Sequence, residues 1–407
     1  VSFGDGTAFR PGEPSLPVIF AINFRAEGST GVHTHIHQFR HYLGEHGTTT
    51  SIISPFSWGA LLSYPVFAPR LLLERVSGSA NVAWYRHWHE LFLRNALRRH
   101  LAGVGDCVIY AQGPLEARAS LRARQGPHQR VVMAVHFRTS QADEFAEPGR
   151  EIRRDGMVFR VIRRTERAVI PRLDGIVYVS EWARSALLGW LPEAARVPAA
   201  VIPNFVARYQ PRRDHGPQGD LVTTGRLEAR KNHQFLLEVL AEARRGGRII
   251  TLDVFGDGPL RSELEQLSRS LQLPGQVRFR GTRFDLREFL PGYRAYVHAS
   301  RSETSSLAIM EALAAGLPIV AADIGPISEL VDEGVEACFW PLDDQVAAAA
   351  ILTGLLDSEP ARQKAASAAS DRFRRDFDAS VVAPRLLAFL LEVGTAAAAP
   401  RRPPAQR

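Results

Sequence analysis

Apolar residues along this chain gather in short, β-branched runs, separated by longer stretches in which they recur at helical spacing. That alternation predicts parallel sheets covered by helices on both faces, an α/β fold. In the first half, Pro17–Ile22, Thr49–Ile53, Cys107–Tyr110, Arg130–His136, Gly175–Val179 and Ala200–Pro203 read as strands. The polar, turn-prone segment Gln210–Asp220 interrupts the rhythm. It restarts with Leu221–Thr224, Ile249–Phe255, Val277–Arg280, Ala295–His298 and Pro318–Ala322. A domain boundary is expected near residues 207–219, and disorder in the Ala-rich, then Arg- and Pro-rich tail from Thr395. No internal repeat is evident.

A length of 407 residues suits two domains, each with its own core. Apolar residues at 45% and charged residues at 23% are the balance of a soluble globular protein. Cys107 and Cys338 are the only cysteines, which excludes a disulfide framework or thiolate cluster and fits a reducing cytoplasm. There is no secretory-type leader and no apolar run of roughly eighteen residues, so neither secretion nor membrane spanning is expected. The net charge is +7, carried almost wholly by arginine, with lysine only at Lys231 and Lys364. That skew suggests a GC-rich bacterial genome, with Val1 a GUG start read literally; a truncated chain would look the same. The charge suits phosphorylated ligands or an anionic lipid surface at the inner face of the membrane, and no signature of nucleic-acid binding accompanies it.

Four features of the second half belong together. Gly225-Arg226-Leu227-Glu228-Ala229-Arg230-Lys231-Asn232 follows a buried strand and opens a helix with apolar Phe235, Leu236, Val239 and Leu240. Arg226 and Lys231 are thus expected on a loop at a strand's carboxyl end, where open α/β sheets bind ligands. In Ser300-Arg-Ser-Glu303-Thr304-Ser305-Ser306-Leu307-Ala-Ile-Met-Glu311, either Ser305 or Ser306 can cap a helix that Gly316 and Pro318 end. Its N-terminus offers amide donors and partial positive charge to a diphosphate, about 0.3–1 kcal/mol. Glu303 and Glu311 would repel phosphate, so sugar hydroxyls are their natural partners. Gly256-Asp-Gly-Pro259 and Val277-Arg-Phe-Arg-Gly281 complete the set as turn punctuation.

In this order the residues resemble the retaining glycosyltransferase family 4, from about Val201 to Leu330. The resemblance implies the GT-B fold: two Rossmann-like parallel-sheet domains facing each other across a cleft, with a C-terminal helix crossing back to the first. The N-terminal domain, 1–207 with 379–395 packing on it, would bind the acceptor. Residues 208–378 would bind the nucleotide-sugar donor, leaving 396–407 as a disordered tail. By the same resemblance Arg226 and Lys231 bind the donor diphosphate with the amides of Ser306 and Leu307. Glu303, Thr304 and Ser305 address the donor sugar, and Glu311 the ribose. Thr304-Ser305-Ser306 departs from the aromatic-Gly usual after the first glutamate.

In the first half, Thr30-Gly31 stands where the family has Gly-Gly, leaving Gly31 as a phosphate or acceptor contact. His33, His35 and His37 follow; on a helix 33 and 37 share a face and 35 does not. Lining of the interdomain cleft on the acceptor side, simple surface positions and metal binding are the three readings, in falling order. His136 ends an apolar strand and matches a family histidine beside the donor sugar, although Phe137 replaces the usual Asp. It is the catalytic candidate together with Glu303. Asn204 resembles part of the family's hinge. Trp84–Leu93 and the arginines at 153, 154, 160, 163, 164, 167 and 172 are either a core face with a solvated basic back, or a site for an anionic lipid surface or phosphorylated acceptor.

The implied function is metal-independent, retaining transfer of a hexosyl or pentosyl group from a nucleotide diphosphate sugar. The acceptor would be a small molecule, glycan or lipid-linked species in glycan, glycolipid or natural-product glycoside synthesis. No cofactor is expected, since the only Asp-x-Asp, Asp376-Phe-Asp378, lies near the C-terminus and Lys364 lies outside any motif that could hold pyridoxal. The alternatives are a GT-B pseudo-glycosyltransferase and a non-catalytic nucleotide-sugar-binding protein.

Overall fold

The computed structural model describes residues 16–26, 28, 31–58, 66, 68–146, 152–208, 218–273, 275–283 and 285–396. Val1, Thr30, most of the expected boundary segment and the tail beyond residue 396 lie outside the described residues. The chain divides into two compact units. The first takes the described residues up to Val179, then Ala183–Ile202 and the chain from Ala383; the second takes Ser180–Trp182 and Pro203–Val382.

The first unit carries strands β1 (Val18–Ala21), β2 (Thr50–Ile53), β3 (Cys107–Ala111), β4 (Gln129–Val135), β5 (Gly175–Tyr178) and β6 (Ala199–Val201). They form one parallel sheet in the order β2-β1-β3-β4-β5-β6. Its helices are α1 (Gly31–Glu45), α2 (Arg70–Val76), α3 (Gly78–Leu101), α4 (Pro114–Ala123), α5 (Gln141–Phe145), α6 (Met157–Val169) and α7 (Glu181–Trp190). Every residue of β3 is buried, as a continuous apolar run must be when helices cover both faces of a parallel sheet.

The second unit repeats the plan with β7 (Gly219–Thr224), β8 (Leu252–Phe255), β9 (Val277–Gly281), β10 (Tyr293–His298), β11 (Ile319–Ala321) and β12 (Ala337–Phe339). All are parallel, in the order β12-β11-β10-β7-β8-β9. Its helices are α8 (His233–Arg245), α9 (Arg261–Ser270), α10 (Leu307–Ala314), α11 (Ile327–Leu330), α12 (Gln345–Asp357), α13 (Glu359–Asp376) and the start of α14 (Ala379–Thr395). Strand residues alternate between two cores. Leu221, Val254, Ala295, Val297 and Val320 join one, while Val222, Phe255, Tyr296, Ile319 and Ala321 join the other. That is the period of two of a pleated strand, with both sides packed.

The strand expected over Ile249–Phe255 begins only at Leu252, and Ile249 is 72% exposed. Gly246 and Gly247, the latter at φ 81°, carry the chain out of α8 in a turn that delays the strand. β12 is an addition to the expected strands. Beyond Val382, α14 belongs to the first unit. A Cβ on Gly394 would come 2.1 Å from Leu16 Cδ2 and 3.0 Å from Val108 Cγ2, so a larger residue here would have to displace Leu16 for the helix to lie this close to β3.

Candidate functional site

In the second unit the strand order reverses between β7 and β10, because the chain lays β8 and β9 on one side of β7 and β10, β11 and β12 on the other. A reversal of this kind opens a crevice at the strands' carboxyl ends. The loops leaving β7 and β10 there are the ones that carry Arg226 to Lys231 and His298 to Glu303.

The loop after β7 is braced from below. Gly225 (φ 152°) donates to Phe255 O at 2.9 Å, and Leu227, fully buried, donates to Asp257 O at 3.0 Å. A Cβ on Gly256 would sit 1.9 Å from Gly225 O, and one on Gly258 2.4 Å from Leu227 O. The Gly256-Asp-Gly-Pro259 turn therefore shapes the cation-bearing loop by close backbone approach. A 3₁₀ turn, Ala229–Lys231, then leads through Asn232 (φ 53°) into α8.

That turn aims two neighbouring cations at one carboxylate. Lys231 Nζ lies 2.5 Å from Glu303 Oε1, and Arg230 Nη1 lies 3.4 Å from Glu303 Oε2. His298, at the end of β10, places Nε2 at 3.1 Å from the same Oε1. Arg230 also donates to Ser302 O and Glu228 Oε1, both at 2.9 Å, and Arg301 N donates to Arg230 O. The two loops are thus stitched together through Arg230. Glu303 is buried; burial alone would raise its pKa, but the Lys231 charge, the His298 contact and Arg230 outweigh that and hold the carboxyl well below the usual range. Burial lowers His298, against the pull of Glu303, and lowers His233 to about 4, with Lys231 and His298 adding to the effect.

Arg226 stands apart from this knot. Its side chain is 69% exposed, and its Nε lies 3.7 Å from Glu228 Oε2. Ser306 is the N-cap of α10, its hydroxyl accepting from Ile309 N, so Leu307 opens the helix and Thr304 and Ser305 lie in the approach. The Ser305 hydroxyl oxygen is buried without a hydrogen-bond partner among the described residues. Glu311, in the next turn of α10, accepts two bonds at Oε1 from Arg287, from Nη2 at 2.7 Å and Nε at 3.0 Å. Asp378 of the Asp-x-Asp triplet accepts from Arg208 Nε at 2.9 Å and Nη2 at 2.7 Å, and Asp376 is paired with Arg372 and Arg375. Lys364 is an exposed residue of α13.

In the first unit, Gly31 is the exposed first residue of α1. His33 and His35 are buried and His37 is exposed. The pairing of 33 with 37 by helical projection fails because the preceding segment covers the first turn alone: the His33 ring lies 4.3 Å from that of Phe24, and its Nε2 is 2.9 Å from Arg25 O. The His35 ring meets that of His136 at 5.5 Å, edge to face. Burial, with His136 adding, lowers His35 to about 3, and burial lowers His136 to about 4. His136 follows β4, and its Nε2 lies 3.0 Å from Gln112 Oε1 at the end of β3. Both rings are therefore neutral at physiological pH. Among the described residues, no three His, Cys, Asp or Glu side chains are grouped to hold a metal ion.

Arg230, His298 and Arg287 are the site residues that sequence reasoning missed. Arg230 lay inside a quoted motif and His298 at a predicted strand end; Arg287 carried no signal.

Residues 29–208 match the family model described as Glycosyltransferase Family 4, and residues 218–358 that described as Glycosyl transferases group 1. The putative glycosyltransferase EpsF of Bacillus subtilis is 31% identical over 182 residues, 43% of this chain and 43% of that protein. The alpha-D-kanosaminyltransferase of Streptomyces kanamyceticus is 28% identical over 174 residues, 42% of this chain and 45% of that protein. The match thus spans less than half the length of each of these curated relatives. Among solved structures, sucrose-phosphate synthase from Thermosynechococcus elongatus has a TM-score of 0.73 at 16% identity, covering 94% of this chain and 100% of that one. Anabaena HepE, solved with UDP and glucose, has a TM-score of 0.66 at 18% identity, covering 93% and 100%. At these identities the likeness is one of fold.

Proposed function

We propose that this chain, which belongs to glycosyltransferase family 4 and has the GT-B fold, moves a sugar from a nucleotide diphosphate donor to an acceptor hydroxyl, with retention of configuration and without a metal ion or organic cofactor. One observation carries the reading: the convergence of Lys231, Arg230, His298 and Glu303 at the β7/β10 reversal, beside the helix that Ser306 caps.

Breaking the anomeric bond leaves a diphosphate whose growing charge must be met. Lys231, the exposed Arg226 and the amides that open α10 supply fixed positive charge in the second unit. Glu303, ionised and oriented by three donors, is suited to hydrogen-bond the donor sugar, and its contact with Lys231 puts the sugar side and the phosphate side of the donor next to each other. Thr304 and Ser305 lie on the same approach. Glu311, held at one oxygen by Arg287, keeps Oε2 for a ribose hydroxyl. In the first unit, the acceptor is assigned to the carboxyl ends of β1, β3 and β4, where neutral His136 and Gln112 lie. Retention rests on family membership. The UDP held by HepE makes uridine diphosphate sugars the first donors to try.

The test is a thermal-shift panel of nucleoside diphosphates and their sugars, since ligand binding to the folded state raises the melting temperature by mass action. A selective rise with one nucleotide, followed by transfer from its sugar, is expected. No rise with any of them overturns the reading.

A further inference from the structure

Arginines carry the rest of the first unit's chemistry. α4 and α6 enclose a groove of about 580 Å³ lined by Arg118, Arg122, Arg124, Arg164 and Arg172, with apolar Leu121 and Val161 among them. Among the described residues two carboxylates pair with these guanidinium groups: Glu90 with Arg118 at 2.9 Å and Arg122 at 2.8 Å, and Asp174 with Arg124 at 2.7 Å. Among the described residues the lining arginines outnumber these two carboxylates.

The helix forming one wall has an unusual outer face. Ile162, Glu166 and Val169 of α6 point inward, and Arg163 stacks on Trp190 at 4.0 Å. Outward go Met157 (74% exposed), Arg160, Val161 (57% exposed), Arg164 and Ala168, a single stripe at helical spacing. Large apolar side chains interleaved with arginine on one exposed face are complementary to the headgroup boundary of a bilayer. There the guanidinium groups meet phosphate while the apolar tips enter the acyl edge. A soluble phosphate would use the arginines with Val161 at the groove wall and leave Met157, which lies outside the groove, in water. No helix among the described residues is long and apolar enough to cross a membrane.

We propose that the α4–α6 groove and the outer stripe of α6 dock on an anionic lipid bilayer, the arginines taking lipid phosphates and Met157 and Val161 entering the interface. This rests on the surface of the first unit and does not use the donor reading.

The full chain is sedimented with vesicles of phosphatidylcholine alone and of equimolar phosphatidylcholine and phosphatidylglycerol. Expected is binding to the second only, weakened by salt because exposed charges are screened. The double substitution Arg160→Glu, Arg164→Glu should weaken partitioning by about tenfold or more, given the attraction each basic residue feels at an anionic surface. Met157→Ser with Val161→Ser should weaken it as well, and melting temperatures near that of the native chain would show both variants folded. Three outcomes overturn the proposal: no binding to the anionic vesicles at low salt, unchanged binding in the arginine variant, or unchanged binding in the Met157/Val161 variant while glycerol phosphate alone displaces the protein. The last would make the groove a site for a soluble anion.

Discussion

Lys231 Nζ and Glu303 Oε1 stand 2.5 Å apart, so one ion pair joins the group assigned to the donor phosphate with the group assigned to the donor sugar. The carboxylate is only 5% exposed and the lysine 14%, so neither charge has water to fall back on.

Lys231→Ala should therefore act twice. It leaves Glu303 buried with weakened compensation, costing about 3–5 kcal/mol of stability as expected for breaking a buried pair from one side. It should also lower turnover roughly a hundredfold or more through loss of a fixed donor. Adding Glu303→Gln should restore part of the stability and none of the activity. Urea denaturation and initial rates on the two single variants and the double separate the effects, and strict additivity in stability would deny the coupling.

The two glutamates should fail differently. Glu311→Ala and Arg287→Ala should each raise the donor KM by about tenfold with kcat little changed, because a ribose contact far from the breaking bond is uniform binding. The double variant should be no worse than either single one. Glu303→Ala should mainly lower kcat. Calorimetric titration with the free nucleoside diphosphate gives the control: affinity falls for Glu311 and Arg287 variants and holds for Glu303→Ala.

Acid should destabilise the first unit through His35. Its folded pKa, about 3, lies below the ordinary 6.5, so the unfolded chain takes up a proton that the folded chain refuses. The His35 contribution is then complete above about pH 6.5 and falls as pH drops from there toward the folded value, by about 2 kcal/mol at pH 5. Glu303 has the same sign in a lower window, its depressed pKa giving stability that is present above about pH 4.3 and lost only below it. Burial raises Glu116 and Glu166 to about 7, which adds stability as pH falls from 7 to 5, and His136 and His233 act in the direction of His35. The His35 effect is therefore read from denaturation curves between pH 7 and pH 5 as the difference between the native chain and His35→Gln, the variant losing less stability. The same pH dependence in the native chain and in His35→Gln would deny it.

Turnover should persist in excess chelator, since the cations of the β7 loop and the start of α10 are assigned the metal's task. Activity lost to chelator and restored by magnesium or manganese would reassign that task.

Gly256→Ala should weaken nucleotide binding although Gly256 has no part in it, because φ of 131° and a 1.9 Å approach to Gly225 O leave no room for a Cβ without moving the Arg226 loop. A melting curve with and without nucleotide reads both effects.

Strand positions were legible because the parallel sheets bury both faces, so each strand announces itself as an apolar run. β12 escaped because an edge strand of three residues leaves too short a run. Within the site, Lys231 and Glu303 stood out by motif, whereas their contact depends on a 3₁₀ turn that sends Arg230 and Lys231 to the same side, which spacing alone does not reveal. Arg287 reaches Glu311 from a short irregular turn 24 residues earlier, and only tertiary packing brings them together. For His33 and His37, periodicity gave the helix face and could not say what would cover it.

The way α14 ends has a consequence for biosynthesis. The second unit is an almost unbroken stretch from Pro203 to Val382, but the first needs both the early strands and the last helix. On the ribosome, the space over β3 and β5 beside Val108 and Gly175 waits for Phe389, Val393 and Gly394. The unit made first is completed last, after the second can already have folded, and a nascent chain stalled before α14 would present an unfinished, apolar first sheet to the chaperones.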